Sequence, residues 1–283
     1  KYKAIKVSKI IKQKGNSIDF STPIVMGILN LTSDSFYDGG NYLTEDSIIR
    51  QCIKIEKLGA KIIDIGACSS RPGSTPVSEE EEIKTLLPAI KIIRKHTQNI
   101  LISIDTFRSN VAKKCVELGA DMINDISAGE NDLNMLDTIV ALNVPYIMMH
   151  MKGNSLTMQN NPAYNDVIFE ITDFFQKKIN TLNKKGFNKI IIDPGFGFGK
   201  TIEHNYDILN NLVEFTKFKL PILVGASRKS MIYKLLEKTP KKALNGTSII
   251  NTIALLNGAN ILRVHDVEEA LECVKITTFI NKL

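Results

Sequence analysis

The sequence contains no tryptophan and only four cysteines, Cys52, Cys68, Cys115 and Cys273, so widely spread that no CxxC pair forms. A disulfide framework is excluded, and reduced thiols in a cytoplasmic protein are expected. The four histidines, His96, His150, His204 and His265, show no ligand spacing, which argues against a histidine-cluster metal centre. No apolar stretch approaches the roughly 18 residues of a membrane-spanning helix, and the opening KYKAIKVSKIIKQKG has no run of signal-peptide length. Long basic runs are missing too, and no basic stretch is interleaved with aromatics. The net charge of +6 therefore describes a solvated, lysine-rich surface, and neither a nucleic acid nor a membrane is expected as partner.

What is present is a repeat. A short apolar run, a polar or glycine-rich turn and a longer amphipathic stretch recur along the 283 residues. The runs are IVMGILN (24–30), KIIDIG (61–66), ILISIDT (100–106), MINDIS (122–127), PYIMMHM (145–151), KIIIDPG (189–195), PILVGAS (221–227) and ILRVHD (261–266). Nearly continuous apolarity, rather than alternation, suits parallel strands covered on both faces. Between them lie helical patterns such as EDSIIRQCIKIEKLGA and SNVAKKCVELGA, each closing on Leu-Gly-Ala, where glycine serves as a helix stop. Eight β–α units in roughly 250 residues is the arithmetic of an α/β fold of the (β/α)8 TIM-barrel type, with a doubly wound open sheet as the alternative. The opening residues stand outside the repeat. YKAIKV and NSIDF, flanking Gly15-Asn16, predict a short N-terminal β-hairpin over 1–22 that plugs the bottom of a single barrel over 23–283.

In a barrel, chemistry gathers where the strands end. Those ends carry Asn30, Asp64, Asp105, Asn124 with Asp125, His150, Asp193, Ser227 to Lys229, and Arg263 with His265. Any one of them could be a turn residue or helix cap, but a set this large at one end predicts a polar-floored pocket. Asp105, Asn124 and Asp193 offer the acceptors and amide donors that read the edge of a neutral heterocycle. Lys229, Arg263 and His265 offer positive charge for a phosphate or a developing anion, and Arg263 and His265, two apart, share a face. A Mg²⁺ shared with a substrate phosphate would need few protein ligands. The loops NLTSDSFYDGGNY and GACSSRPGSTPVSEEEE are long for βα turns and read as functional loops. Within them SEEEE (78–82) reads as an acidic first helical turn, and Cys68 as an inert thiol. DPGFGFGKT (193–201) is one residue short of a phosphate loop, so Lys200 and Thr201 are expected to start a helix rather than grip a phosphate.

These segments match a known family in order. GILNLTSDSFYDGG (27–40), DIGACSSRPG (64–73), SIDTF (103–107), INDIS (123–127), MHMKG (149–153), DPGFGFGK (193–200), GASRKS (225–230) and RVHD (263–266) closely resemble the dihydropteroate synthases, pterin-binding barrels. The resemblance implies a transferase of folate biosynthesis. It condenses p-aminobenzoate with 6-hydroxymethyl-7,8-dihydropterin pyrophosphate, giving 7,8-dihydropteroate and pyrophosphate. By motif position, Asp105, Asn124 and Asp193 bind the pterin, Lys229 reaches its ring, and Met151 packs near it. Asn30, Arg263 and His265 hold the pyrophosphate, with Asn30 also a Mg²⁺ ligand. Ser70 contacts substrate where the family usually has threonine. Phe198, Lys229 and Ser230 border the p-aminobenzoate site, closed over by Phe36, Arg71 and Pro72, while Asp38 stabilises a pterin methylene cation. The resemblance also implies a homodimer and competitive inhibition by sulfonamides. Ala67, Cys68 and Ser70 replace the family's usual Gly, Glu and Thr, and predict altered sulfonamide sensitivity. A barrel passing a methyl group from a folate to a corrinoid protein, and a non-catalytic pterin-binding relative, are the alternatives. The first has no use for Arg263, His265 and the Ser-Arg-Lys-Ser motif, and the second would keep Asp105, Asn124 and Asp193 but lose the loops, both of which are present here.

Overall fold

A computed structural model describes residues 10–13, 16–31, 44–67, 77–97, 99–153, 158 and 162–283. The chain opens on an antiparallel hairpin of β1 (Ile10–Gln13) and β2 (Asn16–Asp19), with Ile10 opposite Asp19 and Gln13 opposite Asn16. The segment expected to pair with NSIDF, YKAIKV, lies outside the described residues. The strand that pairs with β2 is IIKQ (10–13).

Strands and helices then alternate: β3 (Ile24–Asn30), α1 (Glu45–Leu58), β4 (Ile62–Gly66), α2 (Glu79–His96), β5 (Leu101–Asp105), α3 (Ser109–Glu117), β6 (Met122–Asp125) and α4 (Met135–Leu142). They continue with β7 (Tyr146–Met149), α5 (Val167–Lys184), β8 (Ile190–Asp193), α6 (Ile202–Asn210), β9 (Leu223–Val224), α7 (Ser230–Tyr233), α8 (Leu244–Leu256), β10 (Ile261–Val264) and α9 (Val267–Ile280). The eight strands from β3 onward are parallel, in the order β8-β7-β6-β5-β4-β3-β10-β9. A parallel bridge from Ile192 to Ile222, with Ile192 N donating to Pro221 O at 3.0 Å, joins the ends of that row. The fold is a (β/α)8 barrel. An open sheet would leave β8 and β9 as unpaired edges.

The helix boundaries follow the local signals. Thr44 caps α1 by accepting from Ser47 N, and Gly59 (φ 104°) stops it. Gly119 takes the same left-handed conformation after α3 (φ 113°). Ser78 and Glu81 form a reciprocal capping box at the start of α2, so SEEEE is indeed an acidic first turn. Its last member, Glu82, turns inward and pairs with Arg108, whose Nη2 also donates to Val77 O at 2.6 Å.

Strand parity divides the barrel residues. Val25, Leu29, Ile63, Ile65, Ile102, Ile104, Tyr146, Met148, Val224, Leu262 and Val264 point outward and join the large core under the helices. The alternate residues point inward. At the start of the strands these are Met26, Ile62, Met122, Ile147, Ile191, Leu223 and Ile261, and the hairpin's Ile11, Ile18 and Phe20 pack onto them. The hairpin thus plugs the bottom of the barrel, as its sequence predicts. Each fully buried side chain of this size contributes about 1.5–3 kcal/mol, so the floor is a dry and stable base. One step higher, the inward positions change character to Asp64, Ser103, Asp105, Asn124, Asp193 and Arg263.

Candidate active site

The polar layer sits over that apolar floor. Asp64, at the middle of β4, is almost fully buried, at 1% exposure. Its Oδ2 accepts from Arg263 Nε at 2.6 Å and from Asn124 Nδ2 at 3.1 Å. Arg263 Nη2 donates to Asp105 Oδ2 at 2.9 Å, so one guanidinium spans two carboxylates from β4 and β5. Small residues open the space. A Cβ on Gly66 would lie 3.2 Å from Asp105 Cβ, and one on Gly225 would lie 3.8 Å from Arg263.

The charges here are tuned by burial. Burial pushes the Asp105 carboxyl up to about 7, with the Arg263 charge opposing that rise and Asp64 adding to it. Burial also raises Asp193, against the pull of Lys229. Lys229 is pressed down to about 8 by burial, with Asp193 holding the proton on. Burial disfavours charge on Arg263 as well, but Asp64 and Asp105 outweigh it and the guanidinium stays ionised. The layer is a low-dielectric group of acceptors and cations near balance, suited to a ligand that presents both N–H donors and ring nitrogens.

After β8 the chain makes a turn dense in glycine. Asp193 Oδ1 accepts from Gly195 N at 2.8 Å, and Gly195, Gly197 and Gly199 all have positive φ. Gly195 has no substitute, since a Cβ there would lie 1.9 Å from His150 O. The turn presents Phe198 beneath Lys229, whose Nζ sits 4.4 Å from the ring centroid and donates to Phe196 O at 2.6 Å. Phe198 packs in a separate apolar cluster with Ile126, Met149, Met158, Phe107 and Met151. The mouth therefore has an apolar wall beside its polar floor.

The opposite wall is set by two paired segments. Arg228, in the left-handed region at φ 54°, binds both oxygens of Asp266 at 2.8 Å. Its Nη1 donates to Pro240 O and Lys241 O. This clamp ties the loop after β9 to the end of β10. It holds Lys229 and His265, its chain neighbours on either side, at the mouth. His265 Nδ1 lies 3.0 Å from Ser227 Oγ.

Most of the predicted residues meet here. Asp105, Asn124, Asp193, Lys229, Arg263 and His265 converge on the mouth, with Asn30 at the end of β3 and Ser230 opening α7. Met151 and Phe198 share the apolar wall. Phe36, Asp38, Ser70, Arg71 and Pro72, like Cys68, lie outside the described residues. Two strand-end residues do not belong to the pocket. Asp125 and His150 stand one position off the inward parity and face outward. Asp125 accepts from Tyr146 Oη at 2.7 Å and from the turn at Ser127 and Gly129, while His150 packs edge-on to Phe174. Asp64 was legible only as a strand-end acid, yet it is the anchor of Arg263 and Asn124. Lys200 does not start α6. Thr201 caps that helix through His204, and Lys200 turns inward and is buried.

A closed parallel barrel whose mouth sets buried carboxylates and an amide against an arginine and a lysine is the frame of a ring-binding enzyme. The model of the pterin binding enzyme family matches residues 26–265, and the chain belongs to that family. It is 41% identical to the dihydropteroate synthase of Escherichia coli K12 over 265 residues, 93% of each chain. The Yersinia pestis dihydropteroate synthase solved with a sulfonamide drug superposes with a TM-score of 0.92 at 38% identity, covering 97% of this chain and 100% of that one. The Xanthomonas albilineans dihydropteroate synthase solved with 4-aminobenzoic acid gives 0.89 at 34% identity, over 98% and 99%. Within the family, the activity of this chain is dihydropteroate synthesis, a transferase step of folate synthesis.

Proposed function

We propose that this mouth condenses p-aminobenzoate with 6-hydroxymethyl-7,8-dihydropterin pyrophosphate, and that the residues above divide the work. The observation that carries the reading is the acceptor set of buried Asn124 and Asp193 and part-buried Asp105 against Arg263 and Lys229. Asp105 and Asp193 accept from the pterin's amino and ring N–H groups, and Asn124, held by Asp64, meets a ring position with its amide. Lys229 faces the ring from the other wall, and Met151 packs against it. Asn30, Arg263 and His265 bind the pyrophosphate. Phe198 and Ser230 border p-aminobenzoate, and Phe36, Ser70, Arg71 and Pro72 complete the site from the two long loops.

The chemistry needs little from acid or base. The C–O bond to pyrophosphate breaks, leaving a methylene cation delocalised into the pterin, which Asp38 stabilises. The neutral amine of p-aminobenzoate forms the C–N bond and releases its proton to water. Arg263 and His265 stabilise the charge that develops on the leaving group. Among the described residues no group of three or more His, Cys, Asp or Glu could hold a metal. Asn30 would hold a Mg²⁺ through its amide oxygen, a hard donor that suits the ion. When bound, that ion neutralises leaving-group charge.

Two further assignments belong with this reading. Sulfonamides compete for the p-aminobenzoate side, with sensitivity altered by Ala67, Cys68 and Ser70. A homodimer forms through α8 and α9, where Ile249, Ile253, Ile276, Phe279 and Ile280 are exposed. No described helix is long and apolar enough to cross a membrane. The free, buried thiols of Cys52, Cys115 and Cys273 support a cytoplasmic location. The direct test is pyrophosphate release from the pterin pyrophosphate with Mg²⁺, with and without p-aminobenzoate. Release coupled to dihydropteroate formation is expected. Intact pterin binding without that product would overturn the reading.

A further inference from the structure

Lys200 hydrogen-bonds no side chain that the proposed function assigns to a substrate, yet it is among the most enclosed charges of the fold, at 3% exposure. An ammonium buried without partners costs several kcal/mol, so its surroundings must explain it. Its Nζ donates to Gly195 O at 2.9 Å and Phe198 O at 3.0 Å, and its third N–H is shared between His150 Nδ1 at 3.1 Å and His150 O at 3.3 Å. Burial presses His150 down to about 2, so the ring is neutral and in its Nε2–H tautomer offers Nδ1 as an acceptor; burial presses Lys200 down too, to about 7, with Asp193 holding its proton on. These acceptors come from the end of β7 and from both ends of the turn that carries Phe198. The turn needs such ties, because Gly195, Gly197 and Gly199 each adopt left-handed conformations and bring no side chain to pack. Other side chains bond single points of it. Asp193 Oδ1 accepts from Gly195 N at 2.8 Å and Asn205 Oδ1 from Gly197 N at 2.7 Å. Lys229 Nζ donates to Phe196 O at 2.6 Å and Tyr164 Oη to Gly199 O at 2.9 Å, whereas Lys200 joins both ends of the turn to the end of β7.

We infer that Lys200 is a positioning residue for p-aminobenzoate. By gathering the carbonyls of His150, Gly195 and Phe198 onto one ammonium, it fixes the glycine turn so that the Phe198 ring faces the second substrate beneath Lys229. The inference rests on the assignment of Phe198 to the p-aminobenzoate wall. It predicts a split between the substrates. Asp193 is carried by β8 and its carboxyl answers first to burial and to Lys229, with Lys200 a smaller influence, so pterin binding changes less than the placement of the Phe198 ring when the pin is removed.

The test compares Lys200→Met, which keeps the length and removes the donors, with Lys200→Gln, which keeps two N–H donors. KM is measured for each substrate, and calorimetry gives the affinity for the pterin pyrophosphate. Lys200→Met is expected to raise KM for p-aminobenzoate about ten-fold or more, the scale of a small misplacement of a binding group. The pterin affinity stays within about three-fold, and kcat falls by less than KM rises. Lys200→Gln shows a smaller rise of the same kind, and it carries the comparison alone if Lys200→Met does not fold. In a Phe198→Ala background, removing Lys200 adds no further rise, because the pin acts through that ring. An unchanged KM for p-aminobenzoate, equal losses for both substrates, or full additivity with Phe198→Ala overturns the inference. Phe198→Ala with an unaltered KM for p-aminobenzoate overturns the assignment of the ring itself, a separate outcome.

Discussion

Replacing Asp64 by asparagine probes how the buried layer is held. In Asp64→Asn the amide oxygen takes the place of Oδ2 and still accepts from Arg263 and Asn124. The bond to Arg263 loses its charge assistance, a difference of about 1 kcal/mol. The new NH₂ falls where Asp64 Oδ1 is buried without a hydrogen-bond partner, which costs about 1–3 kcal/mol more. Against this, one carboxylate no longer repels Asp105. The net destabilisation expected is about 1–3 kcal/mol, or roughly 2–6 °C in Tm for a chain of this size. Asp64→Ala, which strands both Arg263 Nε and Asn124, should cost more, about 3–5 kcal/mol. The pH dependence gives a sharper test. The folded pKa of Asp105, about 7, lies above the unfolded carboxylate value. Protonated Asp105 therefore stabilises the fold below about pH 4, and this contribution is lost as pH rises through 7. Without Asp64 that pKa falls, and the loss stops at a lower pH. The Tm deficit of Asp64→Asn should therefore be larger at pH 5 than at pH 8, and the acid limb of kcat/KM for the pterin substrate should move to lower pH. Differential scanning fluorimetry of the ligand-free protein and a pH-rate profile read the two effects. A deficit as large at pH 8 as at pH 5, with an unmoved acid limb, refutes the proposed coupling.

Other consequences are equally open to measurement. Gly195→Ala combines a left-handed φ with a contact of 1.9 Å to His150 O, so a loss of about 3–5 kcal/mol is expected in chemical denaturation. A loss under about 1 kcal/mol would show that the turn relaxes freely. Ile249→Asp with Phe279→Asp places charge in the exposed apolar face of α8 and α9 and should convert a dimer to a monomer by light scattering, with the fold intact by circular dichroism. An unchanged mass would place the interface elsewhere. Asn30→Ala should raise the Mg²⁺ concentration needed for half-maximal binding of the pterin pyrophosphate, by about ten-fold in calorimetry, while leaving binding of the pterin alone unaltered. An unaltered Mg²⁺ dependence removes Asn30 from the metal site.

The barrel was legible because its signals are local. Apolar runs, glycine stops after α1 and α3, and the Ser78 capping box each state their element within a few residues. The site was legible to the extent that strand ends converge. What the strand-end rule could not resolve was parity. Asn124 and Asp125 are adjacent at the end of β6, yet one turns inward to bond Asp64 and the other ties a turn to Tyr146. The same step separates Met149, on the apolar wall, from His150, under the helices. Counting by twos from the hairpin-covered floor, Ile62 to Asp64 or Met122 to Asn124, assigns each residue, but the floor must be known first. Lys200 was missed for a different reason. Its partners are backbone carbonyls, which every sequence supplies and none advertises. A lysine after three alternating glycines still carries a trace of the answer, because a turn with so little side chain exposes its carbonyls, and a cation beside it is the simplest group to collect them. Read this way, the glycines and Lys200 form one device. The first give the turn its freedom, and the second takes that freedom away at the point where Phe198 must be held.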